Sequence, residues 1–158
     1  MVFIPILVEL LLLFDGRKDH SLDEKGRVSV PERYRNLLPG HELVLSQSPV
    51  RSRLGITAWP LKEWDEFLKK LEGLAMSHPI RQYLDDIVVS SKEHCTIDKN
   101  GRILIPQQLR TFSGLTNQAR FIGRGQCFEI WAPDRHDAIV SGHRENTSID
   151  GELHLVGV

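Results

Sequence analysis

The stretch Leu22-Asp-Glu-Lys-Gly-Arg-Val-Ser-Val-Pro-Glu-Arg-Tyr-Arg35 recurs, 75 residues later, as Ile97-Asp-Lys-Asn-Gly-Arg-Ile-Leu-Ile-Pro-Gln-Gln-Leu-Arg110. Asp, Gly, Arg, Pro and the closing Arg are identical at matching places, and Val28/Ile103 and Val30/Ile105 are both apolar. The correspondence continues outward. Ile56-Thr-Ala-Trp59-Pro60 and Phe128-Glu-Ile-Trp131-Ala-Pro133 each set an apolar run ahead of a tryptophan and a proline. Self-similarity at an offset of 75 through the turns and 72 at the tryptophans means two copies of one structural unit.

Each copy has a physical reading. Gly26 and Gly101 supply the positive φ that a tight turn needs, and Asp23 and Asp98 accept nearby backbone N–H groups, so these four residues are expected to form and orient the turns. Residues 19 to 22 and 28 to 30 then read as a hairpin. Alternation puts Val28 and Val30 on one face and Ser29 on the other. Pro31 suits the start of a helix, since its missing N–H would be unpaired there anyway, and a short helix over roughly 31 to 38 follows. Glu42 to Leu45 and Gly55 to Trp59 read as strands joined by the polar loop Ser46 to Arg53. The second copy repeats the plan: Ile103 to Ile105, a helix from Pro106 to about Phe112, then strands near Arg120 to Gly123 and Cys127 to Trp131. Trp59 and Trp131, ending their strands, read as packing residues rather than base-stacking ones.

Between the copies, Leu61, Trp64, Leu68, Leu71 and Ala75, and then Ile80, Tyr83, Leu84, Ile87 and Val88, recur at helical spacing. One hairpin and one short helix bury too little apolar surface to stand alone, so the copies must share a core. The expected product is a mainly β, α+β fold: a compact barrel of intertwined hairpins with pseudo-two-fold symmetry. The organisation reads as 1–13, an apolar extension; 14–62, the first repeat; 63–91, a helical connector; 92–135, the second repeat; and 136–158, a tail. Stripes on both connecting helices favour a homo-oligomer, with covering the chain's own core as the alternative.

The apolar run that fills the extension, Val2 to Phe14, is interrupted only by Pro5 and Glu9. It is shorter than the roughly 20 residues a membrane span needs and has no basic residue before it. No membrane association is expected, and an interfacial segment is the alternative reading.

With 158 residues, 41% of them hydrophobic and 26% charged, the composition is that of a globular domain. A formal charge of −1 excludes a histone-like polycation. The two cysteines, Cys95 and Cys127, make neither a disulfide framework nor a Cys-x-x-Cys zinc motif, so a reducing cytoplasm is expected and no metal or cofactor.

Two Asp-x-x-Gly-Arg turns in register, each followed by apolar-x-apolar-Pro, with Trp and Pro after the last strands, resemble the MraZ family of bacterial transcriptional regulators. The likeness runs from Phe14 to about Ile139, and Phe14-Asp-Gly-Arg17 is similar to the family's amino-terminal Phe-x-Gly segment. It implies an AbrB-like swapped-hairpin barrel, ring-shaped homo-oligomers, a nucleoid location, and binding to short direct repeats in double-stranded promoter DNA upstream of the division and cell-wall gene cluster. The family's DNA-contacting Asp-x-x-x-Arg motif falls on Asp23 with Arg27 and on Asp98 with Arg102. The segment after Val140 departs from the family, lacking its acidic helical tail, which leaves the terminal helix open.

Charge placement agrees. Residues 17 to 35 hold six basic side chains (Arg17, Lys18, Lys25, Arg27, Arg33, Arg35) against four acidic, and residues 92 to 110 hold four against two. Residues 60 to 90 and 134 to 158 are net negative. The positive charge therefore sits in the turns. Repeated round a ring, such modest patches act at high effective concentration and favour tandem sites. Arg27 and Arg102 are the expected base or groove contacts, because guanidinium can fork onto guanine O6 and N7; Lys25, Lys99 and Lys18 are expected phosphate contacts, with Arg17 beside them. A plainer role coexists, in which each arginine pairs with the aspartate of its own turn. Arg35 and Arg110 rank lower, as helix-surface or capping residues.

Two other classes compete. His94-Cys95-x-x-Asp98 offers a thiol, an imidazole and a carboxylate, but adjacent strand residues point to opposite faces, so the expectation is not an enzyme. An antitoxin-like or structural module using the same fold for protein contact is the alternative.

Overall fold

The computed structural model describes residues 13–158; the expected extension at 1–13 lies, but for Leu13, outside the described residues. In the first copy, β1 (Arg17–Ser21) and β2 (Arg27–Ser29) flank the turn, followed by α1 (Glu32–Asn36), β3 (Glu42–Gln47) and β4 (Ile56–Pro60). Then come α2 (Leu61–Glu72), α3 (Pro79–Leu84) and a π-helical turn, Asp85–Val89. The second copy contributes β5 (Glu93–Thr96), β6 (Arg102–Leu104), α4 (Gln107–Ser113), β7 (Gln118–Gly123), β8 (Phe128–Trp131) and α5 (Pro133–Glu145). Pro31 and Pro106 stand at the N-caps of α1 and α4, with ψ of 136° and 148°, so each ends its strand and opens its helix.

The strands form one six-stranded sheet in the order β1-β7-β8-β4-β3-β5 and a separate two-stranded ribbon, β2-β6. All pairings are antiparallel. Exchanging the two copies turns this order into its own reverse, so a pseudo-two-fold axis passes between β8 and β4 and through the ribbon. The expected barrel is not closed: among the described residues β1 and β5 end the sheet without pairing to each other.

The hairpin expected from residues 19 to 22 and 28 to 30 does not form as a local ladder. β1 pairs with β7 and β2 with β6, while across the first turn only an isolated Leu22–Val28 bridge remains. Each copy thus gives its first strand to the other copy's sheet, β1 to β7 and β5 to β3. Apolar burial explains the exchange. Val28, Val30, Ile103 and Ile105 are at most 1% exposed, and pairing β2 to β6 buries all four against one core that no isolated hairpin could provide.

That core holds Leu43, Leu45, Ile56, Phe121, Phe128 and Ile130, and Trp131 is likewise buried. Phe14 joins it, edge-on to Tyr34 at 5.1 Å, while its backbone exchanges two hydrogen bonds with Gly125. A second apolar cluster forms where the connecting helices cover the sheet: Val44, Trp64 and Val88 with Trp59, Phe67, Leu84 and Ile87. The expected stripe fails at Ile80, which is 56% exposed. The π turn that follows shifts the 3.6-residue phase, so Ile87 and Val88 reach the sheet while the first turn of α3 does not. Among the described residues no helix is long and apolar enough to cross a membrane.

The terminal helix, left open by the sequence, continues as α5 to Glu145. Asn146 then accepts a hydrogen bond from the Ser148 N–H and starts a 3-10 segment, Thr147–Val156.

Candidate nucleic-acid interface

The two turns are built alike from their sequences. In the first, Asp23 Oδ1 accepts from the N–H groups of Lys25 (3.0 Å) and Arg27 (2.8 Å), and Oδ2 meets Arg27 Nε at 2.8 Å. In the second, Asp98 Oδ1 accepts from the N–H groups of Asn100 (2.8 Å) and Arg102 (3.0 Å), with Arg102 Nε 3.4 Å from Oδ2. The backbone hydrogen bond from the Arg27 N–H is the foremost reason the Asp23 carboxyl titrates below its usual value, and that from the Arg102 N–H does the same for Asp98. Both aspartates are therefore anionic turn-formers, and both turns close with a glycine at positive φ, +89° at Gly26 and +77° at Gly101.

Register decides where the arginines point. Arg27 stands opposite Leu104, Val28 opposite Ile103, and Ser29 opposite Arg102. Opposed residues share a face, and Val28 and Ile103 fill the inner one. Arg27, Leu104, Ser29 and Arg102 therefore share the outer face. The two arginines are diagonal neighbours there, about 7–8 Å apart by ordinary ladder geometry. Their side chains are 39% and 32% exposed, so each pairs with its aspartate and still meets solvent. The two turns project from opposite ends of this ribbon, carrying the exposed Lys25 and Lys99.

β1 splits its two basic residues. Lys18 and His20 share the face of Phe121, and His20 Nδ1 lies 2.5 Å from the Ser29 carbonyl oxygen, which ties β1 to the ribbon. Arg17, one residue away, takes the opposite face and the side of Arg120, whose guanidinium binds Asp19 and Asp137. Lys18 is thus placed on the ribbon's side of the sheet, and Arg17 is not.

Arg35 and Arg110 do more than their helix positions suggested. Ile105 N–H donates to the Gly26 carbonyl at 2.8 Å, and Val30 N–H donates to the Gly101 carbonyl at 2.9 Å. Over these crossings lie the two arginines, Arg110 against Gly26 and Arg35 against Gly101. Arg110 Nε also donates to the Ile105 carbonyl at 2.9 Å. Each copy's helix thereby clamps the other copy's turn. Their recurrence at equal offset was the available signal, but sequence spacing does not say which turn they reach.

Cys95 faces the interior, where burial pushes its thiol up to about 11, while His94 points away and lies 3.2 Å from Glu42 Oε1. A thiol held protonated and turned from the imidazole is a poor nucleophile. Among the described residues no group of three His, Cys, Asp or Glu side chains could hold a metal ion.

Comparison with known proteins follows the same duplication. The family model described as "MraZ protein, putative antitoxin-like" matches residues 13–86 and 89–155. A protein of Roseiflexus sp. (strain RS-1) named transcriptional regulator MraZ is 33% identical over 137 residues, 87% of this chain and 93% of that protein. One of Halorhodospira halophila with the same name is 34% identical over 153 residues, 92% of this chain and 100% of that protein. A third, from Thermomicrobium roseum, is 32% identical over 122 residues, 77% of this chain and 83% of that protein.

Proposed function

The chain belongs to the MraZ family, and on that premise we propose that it is a DNA-binding transcriptional regulator that docks the outer face of its β2–β6 ribbon into the major groove. One observation carries the reading: Arg27 and Arg102, brought from sequence positions 75 apart, stand together on one solvent-facing ribbon. A two-stranded ribbon fits the major groove, and arginine forks onto guanine O6 and N7. In this reading Arg27 and Arg102 contact bases, Lys25, Lys99 and Lys18 contact phosphates, Asp23, Gly26, Asp98 and Gly101 hold the turns, and Arg17 is peripheral.

The exchange of strands between copies supports describing the fold as AbrB-like and swapped-hairpin, a barrel left unclosed between β1 and β5, with repeats at 14–62 and 92–135. Its pseudo-two-fold ribbon is too small to hold DNA tightly alone. Several copies in a ring, each presenting the same ribbon, would engage short direct repeats cooperatively. The site proposed is the promoter DNA of the division and cell-wall gene cluster, which places the protein at the nucleoid in the cytoplasm.

The test is a footprint of the full chain on the DNA upstream of its own gene. Protection of regularly spaced tandem repeats is expected. A chain that protects nothing there and captures a protein partner instead acts as an antitoxin-like or structural module.

A further inference from the structure

The ribbon's outer face is symmetric in its arginines and asymmetric in the pair that completes it. The pseudo-two-fold axis exchanges Arg27 with Arg102 and Ser29 with Leu104. One of those last two is a small hydroxyl, the other a leucine 55% exposed to solvent. A single exposed leucine is ordinary on a protein surface; its place is what is informative. Leu104 is directly opposite Arg27, and its neighbours on the ribbon's inner face, Ile103 and Val28, are both 1% exposed.

Resting on the DNA-binding reading above, we propose that Leu104 packs against the C5 methyl group of a thymine in the major groove, and that the Leu104/Ser29 difference gives each subunit one polarity on DNA. The physical case is a choice between two dockings. With arginines alone, a two-fold ribbon would sit equally well on a duplex in either direction. Apolar contact in the major groove has one distinctive target, the thymine methyl, whereas a hydroxyl accepts or donates at any base edge. Turning the ribbon round would set the leucine where the serine belongs, and that docking loses the methyl contact. The two flanking guanidinium groups supply the charge match that brings this face to DNA. Subunits of one polarity read repeats of one polarity, which is how a pseudo-symmetric ribbon comes to prefer direct over inverted repeats.

The experiment selects a preferred duplex from a random pool with the full wild-type chain, then replaces each thymine singly with deoxyuridine, which lacks only the methyl group. One replacement is expected to weaken wild-type binding roughly fourfold, as for one buried methyl. L104S, whose ribbon has serine at both places, is expected to bind the thymine and deoxyuridine duplexes equally while keeping the wild-type assembly and fold. The inference is overturned if the wild type binds its selected duplex yet ignores every replacement. It is also overturned if L104S dissociates the assembly, since the leucine then belongs to a contact between copies. A wild-type chain that selects no sequence overturns the regulator reading and this inference with it.

Discussion

Arg110 of the second copy lies across Gly26 of the first, its Nε only 2.6 Å from where a Cβ at residue 26 would stand. The reciprocal contact sets Arg35 Nη1 closer still to where a Cβ at residue 101 would stand. Sequence duplication has thus become reciprocal packing, in which each copy's helix lays an arginine across the other copy's turn.

The two glycines are not equally replaceable. The three atoms nearest a Cβ at Gly101 all belong to the Arg35 side chain, whose far end can swing away, so G101A should cost about 1–2 kcal/mol, from the positive φ. A Cβ at Gly26 would also meet the Ile105 carbonyl oxygen at 2.8 Å, which is backbone. G26A should therefore lower the melting temperature further than G101A. Equal shifts would mean that the crossing at Ile105 is not what holds the first turn.

Lysines and arginines should separate by what they do to binding. K25A and K99A each remove one exposed charge at a ribbon end, so each should lower the slope of log affinity against log salt by about 1 and weaken all sequences alike. R27A or R102A should instead relax discrimination at one base position by about 1–3 kcal/mol. Lysine variants that change sequence preference while leaving the salt slope intact would reverse these roles.

Acid should loosen the last helix. His136 is buried beside Trp131, and Arg120 Nη1 lies 3.1 Å from its Nδ1. Burial first, and then the Arg120 charge, hold its pKa below the ordinary 6.5. A base with a depressed folded pKa contributes stability that is complete above 6.5 and is lost as pH falls through the lowered value. Wild-type melting temperature should thus decline from pH 7 to pH 5 more than that of H136Q. Parallel declines would place the acid sensitivity elsewhere.

Much of this was legible in the sequence because turns and faces are local properties. Asp23, Gly26, Pro31 and their counterparts Asp98, Gly101 and Pro106 announce turn, strand and helix start by their own chemistry, and alternation at Val28-Ser-Val30 states which face is apolar. Alternation names the buried face but not the strand across from it, so intertwined copies are expected while the particular partners, β7 for β1 and β6 for β2, are not. The reach of Arg35 and Arg110 was hidden for the same reason, being a matter of which turn lies beneath a helix after pairing. Ile80 fitted a helical stripe that the π turn at Asp85–Val89 puts out of phase, and backbone winding of that kind leaves no residue signature.

The most direct test of the central claim compares the wild-type chain with R27A/R102A on the footprinted duplex, measuring affinity by fluorescence anisotropy and fold by circular dichroism. Both aspartate–arginine pairs are partly exposed and local to their own turns, so their loss should cost little stability. An unchanged spectrum and at least about a thirtyfold loss of affinity are expected, two base contacts at 1 kcal/mol or more each. A double variant that binds that duplex as tightly as the wild type, with the same preference over a scrambled sequence, would contradict the claim.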